Sequence, residues 1–159
     1  RTGPLKRALS FNGFLTKSAT PGVADGEWAG KGSAAFNNNR LHAQYSLLSV
    51  GDHFRDDIGF IKRTGIRKNF ADFGLRSRPD ALRKVGIREL HPHTRVNLYT
   101  DQSNVKMTNT THFGYGVSLE NGGYVEAAWN GRFERILAPF KIRPDQSFAP
   151  GSYGWNEYY

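Results

Sequence analysis

Asp52, Asp56 and Asp57 stand beside Arg55, Lys62, Arg63 and Arg67 in one polar stretch, Gly51 to Arg67. Carboxylates this close could hold Ca²⁺, which takes about 6–8 oxygen ligands, but their spacing fits no EF-hand loop. Arginine and carboxylate form charge-assisted, often bidentate bonds, so the expected role is mutual pairing that fixes the loop's shape. His91-Pro92-His93 places two imidazoles on the same side of an extended strand. Zinc needs further ligands, and the sequence nominates none, so no metal site and no cofactor are expected. The chain has no cysteine, which excludes disulfides and thiolate metal sites. Ser46, Ser49 and Ser118 lie outside any Gly-x-Ser-x-Gly elbow. His112 and Ser118 share one predicted strand and do not make a triad. Glu120 and Glu126 are the acids expected on the interior face, where a polar lining accounts for them. No catalytic residue is assigned.

The elements that must position these groups are strands. Apolar residues alternate with polar or small ones over residues 8–16, 28–36, 41–49, 71–76, 107–119 and 124–133. A less regular strand is expected from Val85 to Thr100, with Pro92 marking a bulge, break or edge. An eighth is expected near Tyr153. Asn121-Gly122 supplies a tight hairpin turn. The one helical candidate, Pro79 to Lys84, is worth one or two turns. Links after the second, fourth and sixth strands are short to moderate. Those after the first and third are longer.

One face of these strands is rich in aromatics, with Trp28, Phe36, Tyr45, Phe113, Tyr115 and Trp129 as its expected lipid-facing members. The other is rich in Gly, Ser, Thr, Asn and Gln. Outer-membrane barrels show this alternation, with short turns at one end and longer loops at the other. Lys and Arg near strand ends, such as Lys17, Arg40, Arg78 and Lys106, would snorkel to headgroups. The predicted fold is therefore all-β: an antiparallel up-and-down transmembrane β-barrel, partial, with about seven to eight strands. Residues 1–159 form a single barrel segment. The alternatives are a soluble β-sandwich that binds polysaccharide through stacked aromatics, and an outer-membrane hydrolase.

The net charge of +8, from 22 basic and 14 acidic residues, is scattered rather than clustered, so a nucleic-acid partner is not expected. The sequence opens on Arg1 with nothing resembling a signal peptide, so the expectation is a processed chain or a fragment.

Val50-Gly51-Asp52-His53-Phe54, then Ile58-Gly59-Phe60-Ile61, then Arg63-Thr64-Gly65-Ile66-Arg67 resembles a segment of a bacterial outer-membrane family. In that family a carbohydrate-binding family 9-like domain precedes a C-terminal β-barrel domain of unknown function. Glu134 to Pro144 and Ala149-Pro150-Gly151-Ser152-Tyr153 resemble later blocks of the same family. The matching blocks cover about a third of the chain, and the N-terminal domain is not in it. The resemblance implies a bacterial outer-membrane location and a fragment of a larger barrel, structural or transport-related and carbohydrate-associated through a separate domain. It implies outer-membrane lipid, the rest of the barrel or other membrane subunits, and polysaccharide as partners. It also makes Gly51, Asp52, Phe54, Asp56, Asp57, Gly59, Phe60, Arg63 and Arg67 a loop signature, at the long-loop end.

Overall fold

The computed structural model describes residues 8–56, 61 and 63–159. Eight strands form one antiparallel sheet in which each pairs with the sheet's next strand in chain order. They are β1 (Ala8–Lys17), β2 (Trp28–Asn37), β3 (Leu41–Val50), β4 (Ile66–Leu75), β5 (Ile87–Asp101), β6 (Lys106–Leu119), β7 (Tyr124–Ile136) and, last in the sheet, β10 (Gly151–Tyr158). A separate hairpin, β8 (Phe140–Arg143) with β9 (Gln146–Phe148), sits between β7 and β10. The helical candidate forms a single turn, α1 (Asp80–Arg83). This is an all-β, up-and-down architecture.

The strands start close to where alternation places them, with one exception. β4 begins at Ile66 rather than near residue 71, because Ile66 pairs with Val50 and Asp101. Pro92 breaks nothing on the β6 side, where it pairs with Tyr115. On the other side the β4 ladder ends at His93, and contact resumes only as a Ser77–Leu90 bridge. Pro92 therefore lies where its missing N–H disrupts no ladder bond. The segment between β7 and Tyr153, where alternation places no strand, holds the β8–β9 hairpin.

Register puts all paired residues of neighbouring strands on one face. One face carries Phe11, Tyr45, Phe73, Phe113, Tyr115 and Trp129, among others. Trp28, Tyr45, Phe113 and Tyr115 are exposed, and Phe36 and Trp129 are half-buried. The Phe113 and Trp129 rings stack at 5.7 Å between centroids across β6 and β7. Lys17 lies over Trp28, and Lys106 over Phe133 at 3.8 Å from the ring centre, both near strand ends.

The opposite face is polar and concave. Phe14 of β1 and Glu134 of β7, six strands apart in the sheet, line the same cavity of about 880 Å³. The small core lies on this side: Ala29, Val50 and Ile66, with Leu48 and Tyr99 packed against them. Links 18–27, 51–65, 102–105 and 137–150 share one end of the sheet, and 38–40, 76–86 and 120–123 the other.

Candidate functional site: a loop-filled polar face and a histidine ladder

Two features occupy the concave face. The first is the link 51–65. Phe54 and Ile61 pack on the Ala29–Val50–Ile66 core. This apolar anchorage brings Phe54 and Ile61 inward over the sheet. Arg63 then reaches the far wall, donating to Thr108 Oγ1 of β6 at 3.3 Å and pairing with Glu134 of β7 at 3.7 Å. Arg67, on β4, donates to Asn104 Oδ1 at 2.7 Å. Both arginines thus find partners on other elements, beyond the aspartates of their own stretch. Asp56 lines the cavity beneath the link, and Asp52 is exposed beside Gly65. Gly51 is required by close approach. Its N–H donates to Trp28 O at 2.8 Å, and a methyl group there would overlap the Gly26 carbonyl oxygen. Asp57, Gly59 and Phe60 lie outside the described residues.

The second feature is a row of imidazoles toward the short-turn end. His42 of β3, His91 and His93 of β5, and His112 of β6 follow one another with ring centroids 5.4, 4.7 and 5.0 Å apart. Glycines make the row possible. A methyl group on Gly74 would overlap His42 and come within 2.8 Å of His91 Nε2; one on Gly114 would overlap His93 and come within 2.9 Å of His112 Nε2. His42 and His93 each lie over the glycine they pair with on the next strand.

The row is anchored by hydrogen bonds. His42 Nε2 lies 3.0 Å from Asp72 Oδ1, and Arg95 donates to Asp72 Oδ2 at 2.8 Å. His93 Nδ1 lies 3.1 Å from the His91 carbonyl oxygen, and His112 Nδ1 lies 2.8 Å from Asn130 Oδ1. These contacts leave His93 Nε2 and His112 Nε2 facing each other at 3.0 Å. Glu126 Oε1 stands 3.8 Å from both. Its other oxygen accepts a hydrogen bond from the Tyr124 hydroxyl. His42 Nδ1 and His91 Nε2 are buried with no hydrogen-bond partner among the described residues.

The sequence picks out His91 and His93 but not their partners. His93's neighbours are His112 and Glu126, whereas His91 is outside that triangle. Glu120, the other acid expected inside, sits in the link 120–123 and binds Arg83 of α1 at 2.9 Å. The partners are fixed by register: His93 pairs with Gly114, His112 with Asn130, and Gly116 with Glu126.

Among the described residues no helix is long and apolar enough to cross a membrane, which says nothing of strands. The chain matches no family model, no curated protein and no solved structure.

Proposed function

We propose that this chain is wall from an integral outer-membrane β-barrel of a Gram-negative bacterium, structural or transport-related, with the link 51–65 folded inward as a constriction. One observation carries the reading: an apolar, aromatic face runs across the strands of a curved sheet and is left exposed. Large side chains on it include Phe11 and Leu15, each 72% exposed. Soluble monomers rarely expose contiguous apolar patches above a few hundred Å², whereas lipid is the natural solvent of such a face. Lysines over aromatics near the strand ends suit a headgroup boundary.

A soluble sandwich would cover this face with a second sheet about 10 Å away. The other sheet among the described residues is the two-stranded β8–β9 hairpin, whose residues are exposed. The likeness of the Gly51–Arg67 stretch to an outer-membrane family supports the same compartment. It also supports a larger barrel as the parent, completed by strands beyond β1 and β10. Outer-membrane lipid and the remaining barrel are then the partners, and polysaccharide belongs to a separate domain.

The test is fractionation of the natural protein. It should sediment with outer membranes, resist extraction by alkaline carbonate, and need detergent for monodispersity. A monodisperse monomer in detergent-free buffer would overturn the proposal.

A further inference from the structure

Three donor atoms converge on the concave face. His93 Nε2, His112 Nε2 and Glu126 Oε1 form a triangle with sides of 3.0, 3.8 and 3.8 Å. An ion held at the usual zinc distances of about 2.0–2.1 Å in tetrahedral geometry has its ligands about 3.3 Å apart. The observed triangle needs shifts of only about half an ångström to fit. All three side chains are mostly shielded, at 15, 16 and 22% exposed.

The hydrogen bonds around the triangle set its chemistry. The His91 carbonyl can only accept, so His93 Nδ1 carries the proton. Asn130 Oδ1 is likewise an acceptor, so His112 Nδ1 carries one too. In the neutral tautomers both Nε2 atoms therefore present lone pairs, and they face each other at hydrogen-bond distance. Two lone pairs at 3.0 Å repel unless a cation sits with them. The Glu126 carboxylate adds negative charge to the same point, and Tyr124 holds its other oxygen. Each ligand thus has an orienting partner: a backbone carbonyl, an amide and a phenol. That arrangement is what fixes tautomer and aim in metal sites.

We propose that His93, His112 and Glu126 bind a divalent late first-row transition ion, of which zinc is the representative, on the polar wall of this protein. Two imidazoles and one carboxylate suit zinc and its neighbours rather than magnesium or calcium, which prefer oxygen alone. Three protein ligands leave a fourth position for water or a solute on the concave side. The site stands on side-chain geometry and does not depend on the membrane reading.

The test is metal titration of the purified, detergent-solubilised protein, using Zn²⁺ by calorimetry and Co²⁺ by visible absorption. The expected result is one tight equivalent and intense Co²⁺ ligand-field bands of tetrahedral type. Glu126→Gln and His112→Ala should each weaken binding at least about 100-fold. Asn130→Ala, which touches no ion, should weaken it about 10- to 100-fold. His53→Ala should leave binding unchanged, since His53 lies on the loop side and contacts Asp25. Circular dichroism and protease resistance check that each variant folds, and Glu126→Gln keeps size and shape if an alanine variant fails. Absence of a tight equivalent in the wild type would overturn the proposal. So would binding that His112→Ala and Glu126→Gln leave intact, or that His53→Ala abolishes. A protein that partitions to solution yet binds one tight Zn²⁺ would refute the membrane reading and leave this one standing.

Discussion

A methyl group on residue 114 would occupy space that the His93 imidazole fills. Gly114→Ala therefore tests the ladder without removing any histidine. The ring must swing away or the strands must part. Either outcome breaks the His93–His112 approach at 3.0 Å. The expected result is a folded protein whose Zn²⁺ affinity falls at least about 10-fold, read by calorimetry beside a circular dichroism spectrum. Unchanged affinity would show that the ring geometry is not what assembles the site. Arg63 makes a different kind of contact. Its pair with Glu134 is long, at 3.7 Å, and Arg63 is about half exposed. Such pairs contribute about 0–1 kcal/mol. Arg63→Ala should leave global stability nearly unchanged while making the link 51–65 more protease-sensitive, measured by limited proteolysis and mass spectrometry. No rise in cleavage there would remove Arg63 as a tether.

At the scale of elements, the link 51–65 is held mainly by Phe54 and Ile61 against Val50 and Ile66. Full burial of such side chains is worth about 1.5–3 kcal/mol each, and these two are half-buried, so about 1 kcal/mol each is reasonable. Phe54→Ala together with Ile61→Ala should raise hydrogen exchange across 51–65 while β3 and β4 stay protected. Equal loss of protection in the strands would mean that the link is part of the sheet's own core. This inward fold was legible in part. Apolar residues in a long polar stretch announce something to bury, but the surface that receives them is assembled from β2, β3 and β4 and has no local signature. The strands were legible for a simpler reason: period-2 alternation is a local pattern, and Met107 to Leu119 carries it cleanly. The histidine triangle was not. A shift in register between Tyr99 and Thr100 offsets β5 against β6. Because a one-residue slip exchanges the two faces, that irregularity decides whether His93 meets the polar side of β6. Nothing in Asp101 to Lys106 states it. The glycines at 74 and 114 were the available clue, since they stand on the polar face where the rings need space.

At the scale of the molecule, one sheet carries an apolar face and a polar face. Phe113, half exposed and stacked on Trp129, belongs to the apolar one. If lipid covers it near mid-bilayer, Phe113→Arg should destabilise the folded protein by about 2–4 kcal/mol in bilayers. On a water-exposed surface the same change would cost roughly 0.5 kcal/mol or less. Denaturant titration in vesicles distinguishes the two. The three tryptophans give the most direct measurement. Trp28 and Trp129 lie on the apolar face, whereas Trp155 pairs with Arg132 on the polar one. Single-tryptophan variants reconstituted in vesicles carrying brominated acyl chains should show strong quenching for Trp28 and Trp129 and little for Trp155. Equal quenching of all three, or none at Trp28 and Trp129, would contradict the assignment of this face to lipid.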